Sequence, residues 1–189
     1  MNNDNNMAAL TMQVLMRAGA ILGLWFVIEY LVFVMASQNI MFNLIHTPMM
    51  FVTPVLLFML VRKLRQTIYS EVGLRFFQVL TYGVQMMFFA GLIEAFFIYA
   101  YNQWLFPTNL MEMRQALLSQ YAEVTQMMES VPGNPLGQNL TGAFNQAHDI
   151  LKEAPVERPI DAALNAISND ILYGILWMIP FGLILKKKS

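Results

Sequence analysis

The chain has 189 residues, 57% of them apolar and only 12% charged, with a formal net charge of −1 and no cysteine. Soluble domains carry roughly 25% charged residues, so this composition belongs to a chain solvated largely by lipid. The near-zero charge excludes a general attraction to nucleic acid. The missing thiols exclude a disulfide framework, a thiolate nucleophile and a thiolate metal site.

Residues 1–17 form an Asn-rich approach that ends near Arg17, and residues 1–9 are expected to be disordered. The apolar run 18–36 follows. Its nineteen residues cover about 28 Å as a helix, close to the ~30 Å hydrocarbon core of a bilayer. Val34-Met35-Ala36 fits a signal-peptidase site, but the segment is long, weakly basic and interrupted by Glu29, and reads as a retained span. Ser37-Gln38-Asn39 is a short turn, which implies an antiparallel helical pair.

The second run, 44–61, contains His46, Thr47-Pro48 and Thr53-Pro54. Each proline removes a backbone donor. The outcome is either a hinge or a static kink whose freed carbonyls are satisfied by neighbours. Arg62, Lys63, Arg65 and Arg75 occupy a loop over 62–75 whose single acid is Glu71. Such a loop attracts anionic lipid headgroups. The third run, 76–101, has twenty-six residues and must tilt or project. Residues 18–101 therefore hold three spans.

Residues 102–163 read as an outer, acid-rich helical hairpin. Pro107-Thr108-Asn109 ends span three, with Asn109 as a helix N-cap and Glu112 three residues on. Leu110, Met113, Leu117, Tyr121, Val124, Met128 and Val131 recur at steps of three and four, an amphipathic helix of about six turns. A Pro/Gly-rich break over 131–137 separates it from a second helix over 143–154. Pro155 to Pro159 interrupts the chain again, and Pro159 suits the first turn of the last helix. Residues 164–189 form the fourth span and a basic tail. Its apolar stretch 171–185 is short and borrows length from Leu164 and Ile167.

Eight of the eleven basic residues flank these runs on one side: Arg17, Arg62, Lys63, Arg65, Arg75, Lys186, Lys187 and Lys188. The positive-inside bias then places both termini in the cytoplasm. The fold class is all-α: four membrane helices with an extramembrane helical hairpin between spans three and four.

Four polar residues within or near the spans form the candidate intramembrane site: Glu29, His46, Glu94 and Asp170. A charge at mid-bilayer costs about 2.5–3.5 kcal/mol on insertion scales, so each needs a reason to be there. No Lys or Arg lies deep in any span, which favours protonated carboxyls or a bound cation over a buried salt bridge. Counted from the basic flanks, the four lie at about 18 Å (Glu29), 24 Å (His46 and Asp170) and 28 Å (Glu94). Gly83, Ala90, Glu94 and Tyr101 share one stripe, and small residues mark close helix approach, so Glu94 faces the bundle. The direction of Glu29, some 80–120° from the pair Gly19 and Gly23 by the helical repeat, stays open.

These groups suit a proton relay, a cation site or, less well, zinc or iron. The Glu-x-x-His spacing of di-iron bundles is absent. The alternative is that they are interhelical hydrogen-bonding groups or rim residues. Asn139-Leu140-Thr141 is a glycosylation sequon by pattern alone. The terminal lysines resemble a retrieval signal that anchoring already explains, and His148 has no catalytic partner set nearby. The sixteen Met are flexible filler.

The stretch 69–128 runs from an amphiphilic approach into a long third span. It leaves through an aromatic exit with Pro107 and enters a helix opening Asn109-Leu110-Met111-Glu112. With the Pro-interrupted last span and its lysine cluster, this layout resembles a family of four-span envelope proteins of unknown function found in Bacteroidetes-type bacteria. The resemblance implies a bacterial inner-membrane location and supplies no catalytic residues.

The expectation is thus a non-enzymatic inner-membrane scaffold or accessory subunit, without cofactor or metal. Its partners would be the bilayer and either a second copy or an envelope protein bound through the outer hairpin. The alternative is a small proton- or cation-coupled carrier using Glu29, His46, Glu94 and Asp170. An intramembrane enzyme using the same acids stands third.

Overall fold

The computed structural model describes residues 2–38, 40–69, 73–129 and 135–185. Six α-helices account for nearly all of them: α1 (Asn2–Gln38), α2 (Ile40–Ile68), α3 (Phe76–Ala100), α4 (Asn109–Glu129), α5 (Pro135–Glu153) and α6 (Pro159–Leu185). No β-strand occurs among the described residues.

Several boundaries differ from the sequence expectation. The start of the chain is not a disordered tail, because α1 is helical from Asn2. Once a long apolar helix exists, each added residue gains a hydrogen bond without a new nucleation cost, which overrides the modest propensity of Asn. Thr11 donates to the Met7 carbonyl at 2.8 Å within this extension. The basic loop also shrinks. α2 runs unbroken to Ile68, so Arg62, Lys63 and Arg65 lie on helix. α5 begins at Pro135 rather than near residue 143, since proline lacks only a donor that the first helical turn leaves unused anyway. α6 starts at Pro159, as the sequence suggested, and its 27 residues supply the length that 171–185 lacked. Glu71, the break at 131–134 and Lys186, Lys187 and Lys188 fall outside the described residues.

The packing order is α2 on α1, α1 on α3 and α3 on α6, whereas α2 meets α6 and α3 only lightly. Missing side chains set this order. A Cβ at Gly23 would stand 2.8 Å from the Ile93 Cβ and 3.1 Å from the Ala90 carbonyl, and one at Gly19 would overlap Phe89. These two glycines therefore let α1 settle against α3, as small residues do between membrane helices. Gly91 does the same for α6: its absent Cβ would lie 3.3 Å from the Ile167 Cα.

At the end bearing Arg62 and Arg65, the connector is pinned by polar groups. The Tyr69 and Tyr82 hydroxyls are 2.6 Å apart and their rings stack at 5.8 Å, with Thr11 Oγ1 3.3 Å from Tyr69. Gly73 turns the chain with φ of 71°, in the left-handed region open to glycine. Gln78 Oε1 then accepts from the Arg75 backbone amide at 2.9 Å and starts α3.

Proline in α2 frees carbonyls, and one partner is visible. Pro54 cannot donate to the Met50 carbonyl four residues earlier; Tyr173 Oη of α6 donates to it instead, at 3.1 Å. At Pro54, therefore, a neighbouring helix satisfies the kink.

α4 and α5 pack on one another. The Arg114 guanidinium of α4 donates to the Leu151 carbonyl at 2.8 and 3.1 Å and to the Lys152 carbonyl at 2.7 Å. It thereby caps carbonyls that the end of α5 leaves free and places a cation at the negative end of the helix dipole.

Candidate functional site: a carboxyl-lined cavity between four helices

In the half of the bundle remote from Arg62 and Arg65 lies a cavity of about 500 Å³. Helical spacing builds its walls, because residues three and four apart share a face. α1 presents Phe26, Glu29, Tyr30 and Phe33; α2 presents His46, Met50 and Thr53. Glu94 and Ile98 come from α3, while Asn169, Asp170 and Tyr173 come from α6. Leu110 and Met113 of α4 close one side.

All four residues singled out from the sequence, Glu29, His46, Glu94 and Asp170, line this one cavity. Glu29, whose direction the sequence left open, turns toward α2. Its Oε2 accepts from Thr53 Oγ1 at 3.0 Å, and Thr53 accepts in turn from Trp25 Nε1 at 2.9 Å. The resulting order of donors, indole to hydroxyl to carboxyl, crosses from α1 to α2 and back.

Glu94 and Asp170 face each other within hydrogen-bonding reach. The contact follows from Gly91, one turn before Glu94 on α3. A Cβ there would lie 2.9 Å from Asp170 Oδ2, so the carboxyl of α6 occupies the space that glycine leaves. Asp170 Oδ2 is buried and receives no donor from the described residues. Two carboxylates carry only acceptors, so a contact between them requires a shared proton or a cation. Among the residues that line the cavity, none is Lys or Arg.

His46 reaches the cavity edge beside Phe33, with ring centroids 5.3 Å apart. Among the described residues, no three His, Asp or Glu side chains are gathered closely enough to hold a metal ion.

A second polar cluster, not foreseen from the sequence, ties α1 and the end of the third helix to the start of α4. Beyond Ala100 the third helix widens into a π-turn over Tyr101–Leu105, closed by the Phe106 amide on the Tyr101 carbonyl at 2.8 Å. This turn holds Asn102, only 1% exposed. Asn102 Nδ2 donates to Tyr30 Oη and to the Ile98 carbonyl, both at 2.8 Å, and its Oδ1 accepts from Asn109 Nδ2 at 2.8 Å. Asn109 is therefore not the N-cap expected: it is the first residue of α4 and its side chain is buried, while Thr108 before it donates to the Glu112 carboxyl at 2.7 Å. Asn165 of α6 bonds Glu157 at the rim.

Removing Asn102 tests how much this cluster contributes to stability. Asn102→Leu takes the 2.8 Å acceptor from the Asn109 amide, leaving it only longer contacts to Tyr30 Oη at 3.4 Å and Met113 Sδ at 3.3 Å, and is expected to cost about 1–3 kcal/mol. The loss is read from chemical unfolding in detergent, with exposed Asn145→Leu as the neutral comparison.

The exterior completes the class assignment. Large apolar side chains stand outward along the helices, among them Phe77 (74% exposed), Phe96 (70%) and Phe51 (68%). Apolar surface on this scale is tolerated in lipid and aggregates in water. Four helices, Met7–Ser37, Leu44–Ile68, Phe76–Leu105 and Pro159–Leu185, are long and apolar enough to cross a membrane. The molecule is a multi-pass membrane protein. Over residues 17–187 it matches the family described as "Protein of unknown function (DUF4199)", and the chain belongs to that family. No curated protein and no solved structure matches it.

Proposed function

We propose that this protein is a small proton- or cation-coupled membrane carrier, not an enzyme, which exchanges its ion through the cavity lined by Glu29, Glu94 and Asp170. The observation that carries the reading is the meeting of one polar residue from each of four membrane helices at a single cavity, with two of the carboxyls in contact. Isolated interhelical hydrogen-bonding groups have no need to converge. Intramembrane ionisable groups that do converge mark ion and proton pathways in membrane proteins. The charge pattern supports a bacterial inner-membrane setting with both termini in the cytoplasm. In that orientation the cavity lies toward the outer face and α4–α5 stands outside.

Flux measurement tests the carrier. Proteoliposomes with an internal pH-sensitive dye should acidify under an imposed proton gradient, and Glu29→Gln and Glu94→Gln should abolish that signal. Flux unchanged by both variants would sink the named site.

Orientation has its own test, made simple by the absence of native cysteine. With single cysteines at exposed positions of α2 and α4, Glu123→Cys should react with a membrane-impermeant maleimide in intact cells. Gln66→Cys should react only after permeabilisation. The reverse pattern would invert the proposed topology.

A second reading, an accessory subunit that binds a partner, is favoured by α5. It packs against α4 and leaves Ile150 63% exposed. A pull-down in mild detergent that recovers the same proteins with and without residues 109–153 would count against it.

A further inference from the structure

We infer that the cavity takes an organic ammonium ion: a singly charged amine nitrogen on an apolar or aromatic body. The inference rests on the carrier reading above and names the substrate class of the same site.

Charge selects a cation. Four carboxyls, those of Glu29, Glu94, Glu157 and Asp170, and no Lys or Arg line the space, and Glu29 receives a hydroxyl donor from Thr53.

Size argues against a bare inorganic ion. A volume of about 500 Å³ equals roughly seventeen waters at ~30 Å³ each, far more than an alkali or divalent cation and its ligands fill. It falls instead within the range of about 300–1,000 Å³ typical of small-molecule pockets. Coordination points the same way, since no three acidic or His side chains among the described residues gather around a point.

The walls then specify the body of the ligand. Phe26, Tyr30 and Phe33 from α1 and Tyr173 from α6 line the cavity beside the carboxyls. An ammonium within about 6 Å of such ring faces is attracted by their quadrupole, and desolvation by apolar walls strengthens that attraction. A hydrated inorganic ion gains nothing from the same rings. Carboxyls paired with aromatic walls are complementary to a cation that carries its own apolar surface.

Charge balance links binding to the proton. The proton shared by Glu94 and Asp170 leaves as the ammonium arrives, so one positive charge enters and one departs. The nitrogen is then held by the carboxyls, and the apolar body lies against Phe26 and Phe33.

The test uses the full chain in phosphatidylcholine nanodiscs, titrated with benzyltrimethylammonium, with its neutral carbon isostere neopentylbenzene, and with sodium chloride. Trp25, bonded to Thr53 beside Glu29, is the fluorescence reporter, and a pH dye counts released protons. The expected result is saturable binding of the ammonium, at least tenfold weaker binding of the isostere, no response to sodium, and about one proton released per ammonium bound. Glu29→Gln should weaken the ammonium at least tenfold. Equal affinity for the isostere, or no saturable ammonium binding to the wild-type protein, overturns the proposal. If proton flux persists and remains sensitive to Glu94→Gln while the ammonium does not bind, the substrate class falls and the carrier reading stands. If flux is absent as well, both fall.

Discussion

Exchange of Asp170 for asparagine is expected to reduce proton flux at least about tenfold, the equivalent of 1.4 kcal/mol, while the protein stays folded. Asparagine fills the same space against Gly91 and carries an amide donor. The contact with Glu94 is therefore satisfied without any proton to exchange. In wild-type membranes the infrared carbonyl band of a protonated carboxyl should be present at neutral pH and should vanish in this variant. Asp170→Leu separates chemistry from packing. It removes the same carboxyl but leaves Glu94 buried without a donor, a penalty of about 1–3 kcal/mol. Asp170→Asn should thus be inactive and stable, and Asp170→Leu inactive and less stable. Wild-type flux in Asp170→Asn would remove the carboxyl pair from the mechanism.

The largest loss of stability is expected from Gly91→Leu. Its first added carbon would meet Asp170 Oδ2 at 2.9 Å and the Ile167 Cα at 3.3 Å. The second neighbour is backbone, which cannot rotate aside, so α6 must move as a body. Because α6 packs chiefly on α3, little else holds it in register. Overpacking typically costs about 1–3 kcal/mol, and the upper end is expected here. Gly142→Leu is the matched comparison: nothing lies within 4 Å of its added Cβ. Relief of glycine's entropy cost in α5 should make that change stabilising by about 0.5–1 kcal/mol. Unfolding curves of the two variants in one detergent should therefore shift in opposite directions, and a common shift would show that the α3–α6 contact is not the determinant.

What the sequence made legible was whatever a single helix determines alone. Hydropathy located the four spans, the step of three and four located α4, and Pro159 marked the start of α6. Glu94 could be aimed because small residues share its stripe. Glu29 could not, because its partner Thr53 lies on another helix and Thr53-Pro54 reads locally as a kink. Asn102 was hidden for a similar reason. A π-turn has no sequence signature of its own, and an Asn after an aromatic span looks like the first residue of a loop. The early start of α5 did leave a sign in Pro135, but Pro132, Gly133 and Gly137 around it suggested a longer break. Helix ends and single-helix faces follow local rules, whereas a cavity belongs to several helices at once.

The hydrogen bond from Tyr173 to the Met50 carbonyl bears on how such a cavity can be entered. Viewed along the membrane normal, α1–α2 and α3–α6 are two leaves joined at a glycine spine, and this bond fastens their free edges. In an ordinary helix a carbonyl released by an outside donor is reclaimed by the amide four residues on. The Pro54 nitrogen has no proton with which to reclaim it, so the fastening has no competitor within α2. Releasing it costs about one hydrogen bond, on the order of 1 kcal/mol. Water or a ligand hydroxyl can take the vacant place. The proline thus leaves the Met50 carbonyl dependent, for its hydrogen bond, on a phenol from the opposite leaf.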